Sequence, residues 1–400
     1  MRSSIYRNKA TESANNSKPG TVLIAALLTL CLAACSDNNN SVPADDPAAT
    51  GVYAVGHTTM SFIDELRGNR VLPAEIWYPA DAADTEGAVA TIYPLQGDLG
   101  IESPLAFEDI PINASTARGL LVFSHGFGGT KDQSTPLMEH LASHGFVVVA
   151  PAHTGNTSSD NSDSGDVAAA NRVPDISFII DSMLELNEPD MGQFSGSINP
   201  EQIGVLGHSG GGFTSMGVAA GFGDTPADSR VTAVMPISGV ILDAYSAEDL
   251  AGVEVPVFLL GGTLDTSVPI ENNDFAFMSL VNSPQVIQVD IIGATHTHFA
   301  NICGIGNWLI DFGLTMDIWP AIGAAALIGP YMETCSEDAY PLEEAVRLQN
   351  LYATAFFRLH LFQERGYEAY LDEAAAAAEP DVIYNAKIKI PLRINPLEKL

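Results

Sequence analysis

The stretch IGVLGHSGGGFTSM, Ile203 to Met216, passes from an apolar run through a crowd of glycines into a helical pattern, with Ser209 at the crossing. A short apolar run of this kind reads as a buried strand. Small residues at Gly207 and Gly211 let the chain turn sharply from strand to helix, and such a turn lifts the serine Oγ above the sheet edge, where a base and a substrate can both reach it. Gly207-His208-Ser209-Gly210-Gly211 therefore has the spacing of a nucleophile elbow. The five-residue pattern alone is weak in a chain with 35 glycines. Its place between a strand and a helix is what gives it weight.

Working outward, further apolar runs at Val71 to Pro79, Leu120 to Ser124, Phe146 to Ala150, Val231 to Ile237, Val255 to Leu260 and Val286 to Ile292 read as strands. Between and after them lie helical spacings. Ile176, Ile179, Ile180, Met183 and Leu184 share one face of a helix over 174–187, and Leu348, Leu351, Tyr352, Ala355, Phe356, Leu359 and Phe362 share another. Strands alternating with helices predict an α/β fold with a mostly parallel central sheet and helices on both faces.

An elbow serine needs a base, an acid to orient it, and donors for the oxyanion, in the chain order serine, acid, histidine. Downstream of Ser209 stand His296, His298 and His360. His360 falls within the terminal helix and reads as structural. His296 and His298 share the loop after the strand 286–292; His296 stands first after the turn Gly293-Ala294 and is the favoured base, with His298 as the alternative. Asp265, in the glycine turn after the strand 255–260, is the favoured acid and Asp243 its competitor. Oxyanion donors would be the backbone N–H groups of Gly210 and of Phe127, in FSHGFGGT after the strand 120–124. His125 and His208 read as braces for these loops. Such a site needs no metal and no organic cofactor.

Composition bounds the partners. A formal net charge of −32 over 400 residues argues against nucleic acid or anionic lipid. The ends carry their own signals. Residues 1–34 combine Arg2, Arg7, Lys9 and Lys18 with the apolar run Thr21 to Ala34, which is too short to span a bilayer and reads as a secretory leader. Leu32-Ala33-Ala34-Cys35 resembles a bacterial lipobox. That resemblance implies a lipid on Cys35, attachment to the membrane through it, and, with Ser36 next, the outer membrane as destination. Residues 35–50 read as a flexible tether, and 51–400 as one hydrolase domain, expected to be a monomer.

In an exported chain the remaining cysteines, Cys303 and Cys335, are expected to form a disulfide. They bracket an apolar insertion at about 302–335 that is either a cap over the cleft or extra core. Ser158 to Asp166 is an acidic loop without the ligand order of a calcium site, and the basic tail Ala386 to Leu400 is a candidate edge strand.

The segments GVYAVG, RVLPAEIWYPA, LLVFSHGFGGTKDQSTPLMEHLASHGFVVVAPAH, RVPDISFIIDSMLELN, IGVLGHSGGG and GATHTHF together resemble bacterial α/β-hydrolases labelled predicted dienelactone hydrolases. That group is similar to plasma-type platelet-activating-factor acetylhydrolase and, more distantly, to cutinase-like polyester hydrolases. The resemblance covers most of 51–371. It implies Ser209, Asp265 and His296 as triad, Phe127 and Gly210 as oxyanion donors, and a small-molecule or lipid ester as substrate. True dienelactone hydrolases use a cysteine nucleophile, and Ser209 stands in that place here, so their substrate does not carry over. The expected activity is ester hydrolysis on short acyl or phospholipid-type esters. Acyl transfer or polyester hydrolysis by the same triad, or a non-catalytic binding module, stays open.

Overall fold

The computed structural model describes residues 45–96 and 99–389. The leader, Cys35, most of the tether and the tail beyond residue 389 lie outside the described residues.

The chain builds an eleven-stranded sheet. Its strands are β1 (Ala54–Asp64), β2 (Arg70–Ala80), β3 (Ala90–Gln96), β4 (Leu99–Glu108), β5 (Arg118–Ser124), β6 (Val147–Pro151), β7 (Ile198–His208), β8 (Val231–Ile237), β9 (Val257–Gly262), β10 (Gln285–Ile291) and β11 (Val382–Ile388). The order across the sheet is β11-β10-β9-β8-β7-β5-β6-β2-β1-β4-β3. From β10 to β6 every pair is parallel, while β11 and β2 join antiparallel at either side. Helices α1 (Thr135–Ser143), α2 (Gly165–Leu186), α3 (Gly210–Ala220), α4 (Ala247–Ala251), α5 (Glu271–Ser279), α6 (Ile302–Asp311), α7 (Ile328–Thr334), α8 (Leu342–Leu361) and α9 (Glu373–Ala376) complete the described residues.

Two cores lie on the two faces of the sheet. Successive side chains of a strand point to opposite faces, and β5 and β6 are buried on both. Leu121, Phe123, Val148 and Ala150 pack under Leu137, Met138 and Leu141 of α1 and Leu348, Tyr352 and Phe356 of α8. Leu120, Val122, Val147 and Val149 pack on the other face under Ile176, Ile179, Ile180 and Met183 of α2 and Phe213 and Met216 of α3. This two-sided burial is why these strands read as unbroken apolar runs.

Six of the expected strands appear within two residues of their expected bounds; the one read from Ile203 is β7, which starts five residues earlier at Ile198, and Val382–Ile388 supplies the edge strand, starting four residues ahead of the tail. Three differences matter. Strands β1, β3 and β4 had no counterpart in the sequence reading, because they alternate polar and apolar residues along half-exposed ladders. Helix α2 begins at Gly165 rather than at Pro174, capped by the Ser164 hydroxyl, and so carries Pro174 in its interior. Proline lacks an N–H and disturbs the helix ladder there; Arg67 donates to the carbonyl of Asn171, one turn earlier, at 3.3 Å. The insertion 302–335 folds as α6, two short 3-10 turns at Trp319–Ile322 and Ala325–Leu327, and α7, closed by the Cys303–Cys335 disulfide.

Candidate active site

Ser209 sits between β7 and α3 with φ of 59° and ψ of −119°, a backbone conformation that costs an L-residue of order 1–3 kcal/mol. The surroundings leave it no alternative. A Cβ on Gly211 would lie 1.7 Å from the carbonyl of Ser124, and one on Gly207 would lie 2.4 Å from the carbonyl of Gly211. Only glycine lets α3 start this close to β5 and β7. The Ser209 N–H donates to the carbonyl of Ile237 at 2.9 Å, which fixes the turn to the end of β8.

Asp265 follows β9 in a turn and is buried. Its Oδ1 accepts the N–H groups of Ser267 at 2.9 Å and Val268 at 2.7 Å, and its Oδ2 accepts His296 Nδ1–H at 2.7 Å. Burial by itself would raise the pKa of this carboxyl, yet the bonds from His296 and the backbone hold it below its ordinary value. Ionised Asp265 fixes the proton of His296 on Nδ1, which leaves Nε2 as the free acceptor. Ser209 and His296 line one cavity.

The competing residues are placed elsewhere. His298 Nδ1 accepts the N–H of Thr295 at 2.9 Å and its Nε2 donates to the carbonyl of Tyr340 at 3.0 Å, so both ring nitrogens are engaged, and burial lowers its pKa. Asp243 is exposed. His360 Nε2 bonds the Gln285 side chain at 2.8 Å within α8, and burial pushes it down to about 4. His125 Nδ1 donates to the carbonyl of Gly126 at 2.7 Å, as a brace should.

Phe127 and Gly210 approach each other across the mouth of the elbow. A Cβ on Gly210 would stand 2.8 Å from the Phe127 backbone nitrogen. Among the described residues, neither the Phe127 N–H nor the Gly210 N–H donates to a protein acceptor. Two free donors side by side at the foot of a helix can receive a developing negative charge.

These groups open into a cavity of about 640 Å³. Leu99 and Ile101 of β4 form one wall. Ile302, Ile305 and Leu309 of α6, with Ile322 and Leu327, form the other, so the insertion walls the cleft as a cap. Its end is clasped to the base loop: the Thr334 hydroxyl bonds those of Thr295 at 3.0 Å and Thr297 at 2.5 Å, on either side of His296. Among the described residues no cluster of three or more His, Cys, Asp or Glu could hold a metal ion. In the acidic loop, Asp160 and Asp163 accept bonds from Gly155 N–H and Asn171.

Comparison with known proteins agrees with this architecture. The chlorophyllase family model matches residues 109–250. Cutinase est1 of Thermobifida alba is 27% identical over 179 residues, 44% of this chain and 53% of that protein. Cutinase cut1 of Thermobifida fusca is 29% identical over the same length, 44% of this chain and 49% of that protein. The chain thus spans about half the length of the curated relatives it matches. A ferulic acid esterase from Streptomyces cinnamoneus superposes with a TM-score of 0.63 at 24% identity, over 86% of this chain and 99% of that one.

The chain has the α/β-hydrolase fold.

Two further residues brace this site and belong to no motif of the sequence. Gln133 bridges the loop of Gly126 and the imidazole of His208. Arg172 of α2 is wholly buried beneath the Phe127 loop. Its guanidinium donates to the carbonyl of His125, to Asn156 Oδ1 at 2.7 Å and to Thr214 Oγ1 at 3.1 Å, and lies 4.8 Å from the centre of the Phe127 ring. Burial pushes its pKa down to about 9, so it remains a cation at neutral pH. A helix starting at Pro174 would have omitted it; the only hint was the helical spacing that sets Arg172 four residues before Ile176.

Proposed function

We propose that the protein is a serine hydrolase of carboxylic esters working through an acyl-enzyme. Ser209 Oγ attacks the ester carbonyl while His296 Nε2 takes its proton; Asp265 stabilises the imidazolium that forms, and the N–H groups of Phe127 and Gly210 receive the oxyanion. His296 then gives the proton to the leaving alcohol. Water, deprotonated by the same imidazole, releases the acid and restores the serine. The observation that carries this reading is the His296–Asp265 pair, with its free Nε2, in the cavity that also holds the Ser209 turn. The names of the relatives, cutinases and a ferulic acid esterase, support ester cleavage as the reaction class.

The substrate we favour is a carboxylic ester of short acyl or phospholipid type, with an uncharged acyl arm inside the cavity. Aliphatic side chains make most of both walls, and among the described residues Asp132 is the one ordinarily charged residue lining the cavity, so a free anion finds no counterion among them. A cap over the cleft argues against a polymer lying in an open groove. We place the protein at the cell envelope, tethered through lipid on Cys35.

The test is an acyl-length series of p-nitrophenyl esters, with a phospholipid and a solid polyester alongside and Ser209→Ala as control. Turnover of the short esters that vanishes in Ser209→Ala is expected. Equal turnover in that variant refutes the reading.

A further inference from the structure

Resting on the esterase reading, we propose that Gln133 and His208 are positioning residues that tie the oxyanion loop and the base loop into one unit through the hydrogen bond they share. The path is continuous. The Gly126 N–H donates to Gln133 Oε1 at 3.0 Å, Gln133 Nε2 donates to His208 Nδ1 at 2.9 Å, and His208 Nε2–H donates to the carbonyl of His296 at 2.8 Å. These links join segments 75 and 88 residues apart in sequence. The Gln133 carbonyl also accepts the N–H of Asn301, at the entry to the cap, at 2.8 Å.

Chemistry leaves the orientation of each group no freedom. Because Gln133 Oε1 takes a backbone N–H, its amide nitrogen must face His208; because that nitrogen donates, His208 Nδ1 must carry a lone pair and Nε2 the proton. A protonated His208 would present two donors and lose Gln133. The titratable groups facing it are His296 and Asp265; burial and the neighbouring His296, whose ring centre is 4.6 Å away, keep His208 neutral.

The consequence is catalytic rather than merely structural. Gly126 immediately precedes Phe127, so a slip at Gly126 carries the oxyanion donor with it. The His296 carbonyl belongs to the base itself. Displacements of about 1 Å at such groups cost on the order of 100-fold in rate. The donor acts on charge that exists only in the transition state, so the loss should fall on kcat and spare KM.

Four variants test this with p-nitrophenyl butyrate. Gln133→Leu should lose on the order of 100-fold in kcat with KM changed by less than about threefold. His208→Phe keeps a ring against His296, loses both bonds and should lose a similar amount. The double variant should lose no more than the worse single one, since both remove one shared link. Gln133→Glu keeps the acceptor for Gly126 but holds His208 Nδ1 only while a proton lies between them; its kcat should fall at alkaline pH, where the native enzyme stays level. Multiplied losses in the double variant, a Gln133→Leu kcat within about threefold of native, or a Gln133→Glu profile matching native overturns the proposal.

Nitrogen NMR gives a readout that does not need turnover. Native His208 should show the neutral Nε2–H form, and in Gln133→Leu the His296 signals should move with those of His208. Unmoved His296 signals overturn the link. If Gln133→Leu does not fold, Gln133→Glu and the native signals decide. Failure of the esterase reading shows itself separately, as a native protein that neither cleaves esters nor takes up a fluorophosphonate at Ser209.

Discussion

At the carboxyl ends of β7, β9 and β10, Ser209, Asp265 and His296 rest on turns held by backbone and buried side-chain hydrogen bonds. The walls above them, β4 and the disulfide-closed segment 302–335, are half-exposed and carry few charges; the segment has only Asp311, Asp317 and Glu333 among its 34 residues. The floor is positioned by bonds with fixed angles and the walls by apolar contact, which sets shape but tolerates change. On the esterase reading, transition-state chemistry and substrate selection therefore fall to different parts of one cavity. Substitutions in the floor should change kcat, and substitutions in the walls should change which ester is taken.

The largest expected effects break the floor. Ser209→Ala should reduce kcat by about 10⁴-fold to 10⁶-fold and Asp265→Asn by about 10⁴-fold. His298→Ala, which removes two structural bonds, should cost about 1–3 kcal/mol of stability and leave most of the turnover. Kinetics and thermal melts on the three variants check this, and equal kinetic loss from His298→Ala would mean that the two histidines share the work. Next comes Gly210→Ala. Its methyl would stand 2.2 Å from the Phe127 ring, so the loop must move, and kcat should drop on the order of 100-fold with little change in KM.

Wall substitutions should separate selection from chemistry. Ile305→Ala is expected to raise KM for the longest accepted acyl chain by about tenfold, the weight of one or two methylenes, while acetyl-ester kcat holds. An acyl-length series reads both. Replacing Cys303 and Cys335 by serine opens a loop with a sequence separation of 32 and should lower stability by about 3–4 kcal/mol on the chain-entropy account.

The smallest effect lies away from the cavity. Asp290 is buried on β10 with bonds from Asn273 and Gln288, and burial pushes it up to about 6. A carboxyl whose folded pKa is raised binds its proton more tightly in the folded state, so stability should fall by about 3 kcal/mol or less as pH rises from about 4 to about 6. Denaturant melts across that range should show the slope, and Asp290→Asn should remove its share.

Much of the floor was legible because its chemistry restricts residue types. A glycine-flanked serine, a carboxylate after one strand and a histidine after the next can be read by order. The doubly buried strands announced themselves by continuous apolar runs. Strands β1, β3 and β4 did not, since polar residues interrupt their apolar ones along half-exposed ladders, yet β4 supplies Leu99 and Ile101 to one wall of the pocket. Gln133 and Arg172 were invisible for another reason. Gln133 reaches His208, 75 residues on, and Arg172 reaches His125, 47 residues back, and a lone polar residue carries no periodicity. The insertion could be bounded by its cysteines, but cap and core demand the same apolar composition, so only the fold distinguishes them.

The most direct test of the central claim is mass-spectrometric mapping of the native protein after reaction with a fluorophosphonate ester. The expected result is one stoichiometric adduct, on Ser209, that is lost in His296→Ala. An adduct on another serine, or none on a protein that still hydrolyses esters, would contradict the account.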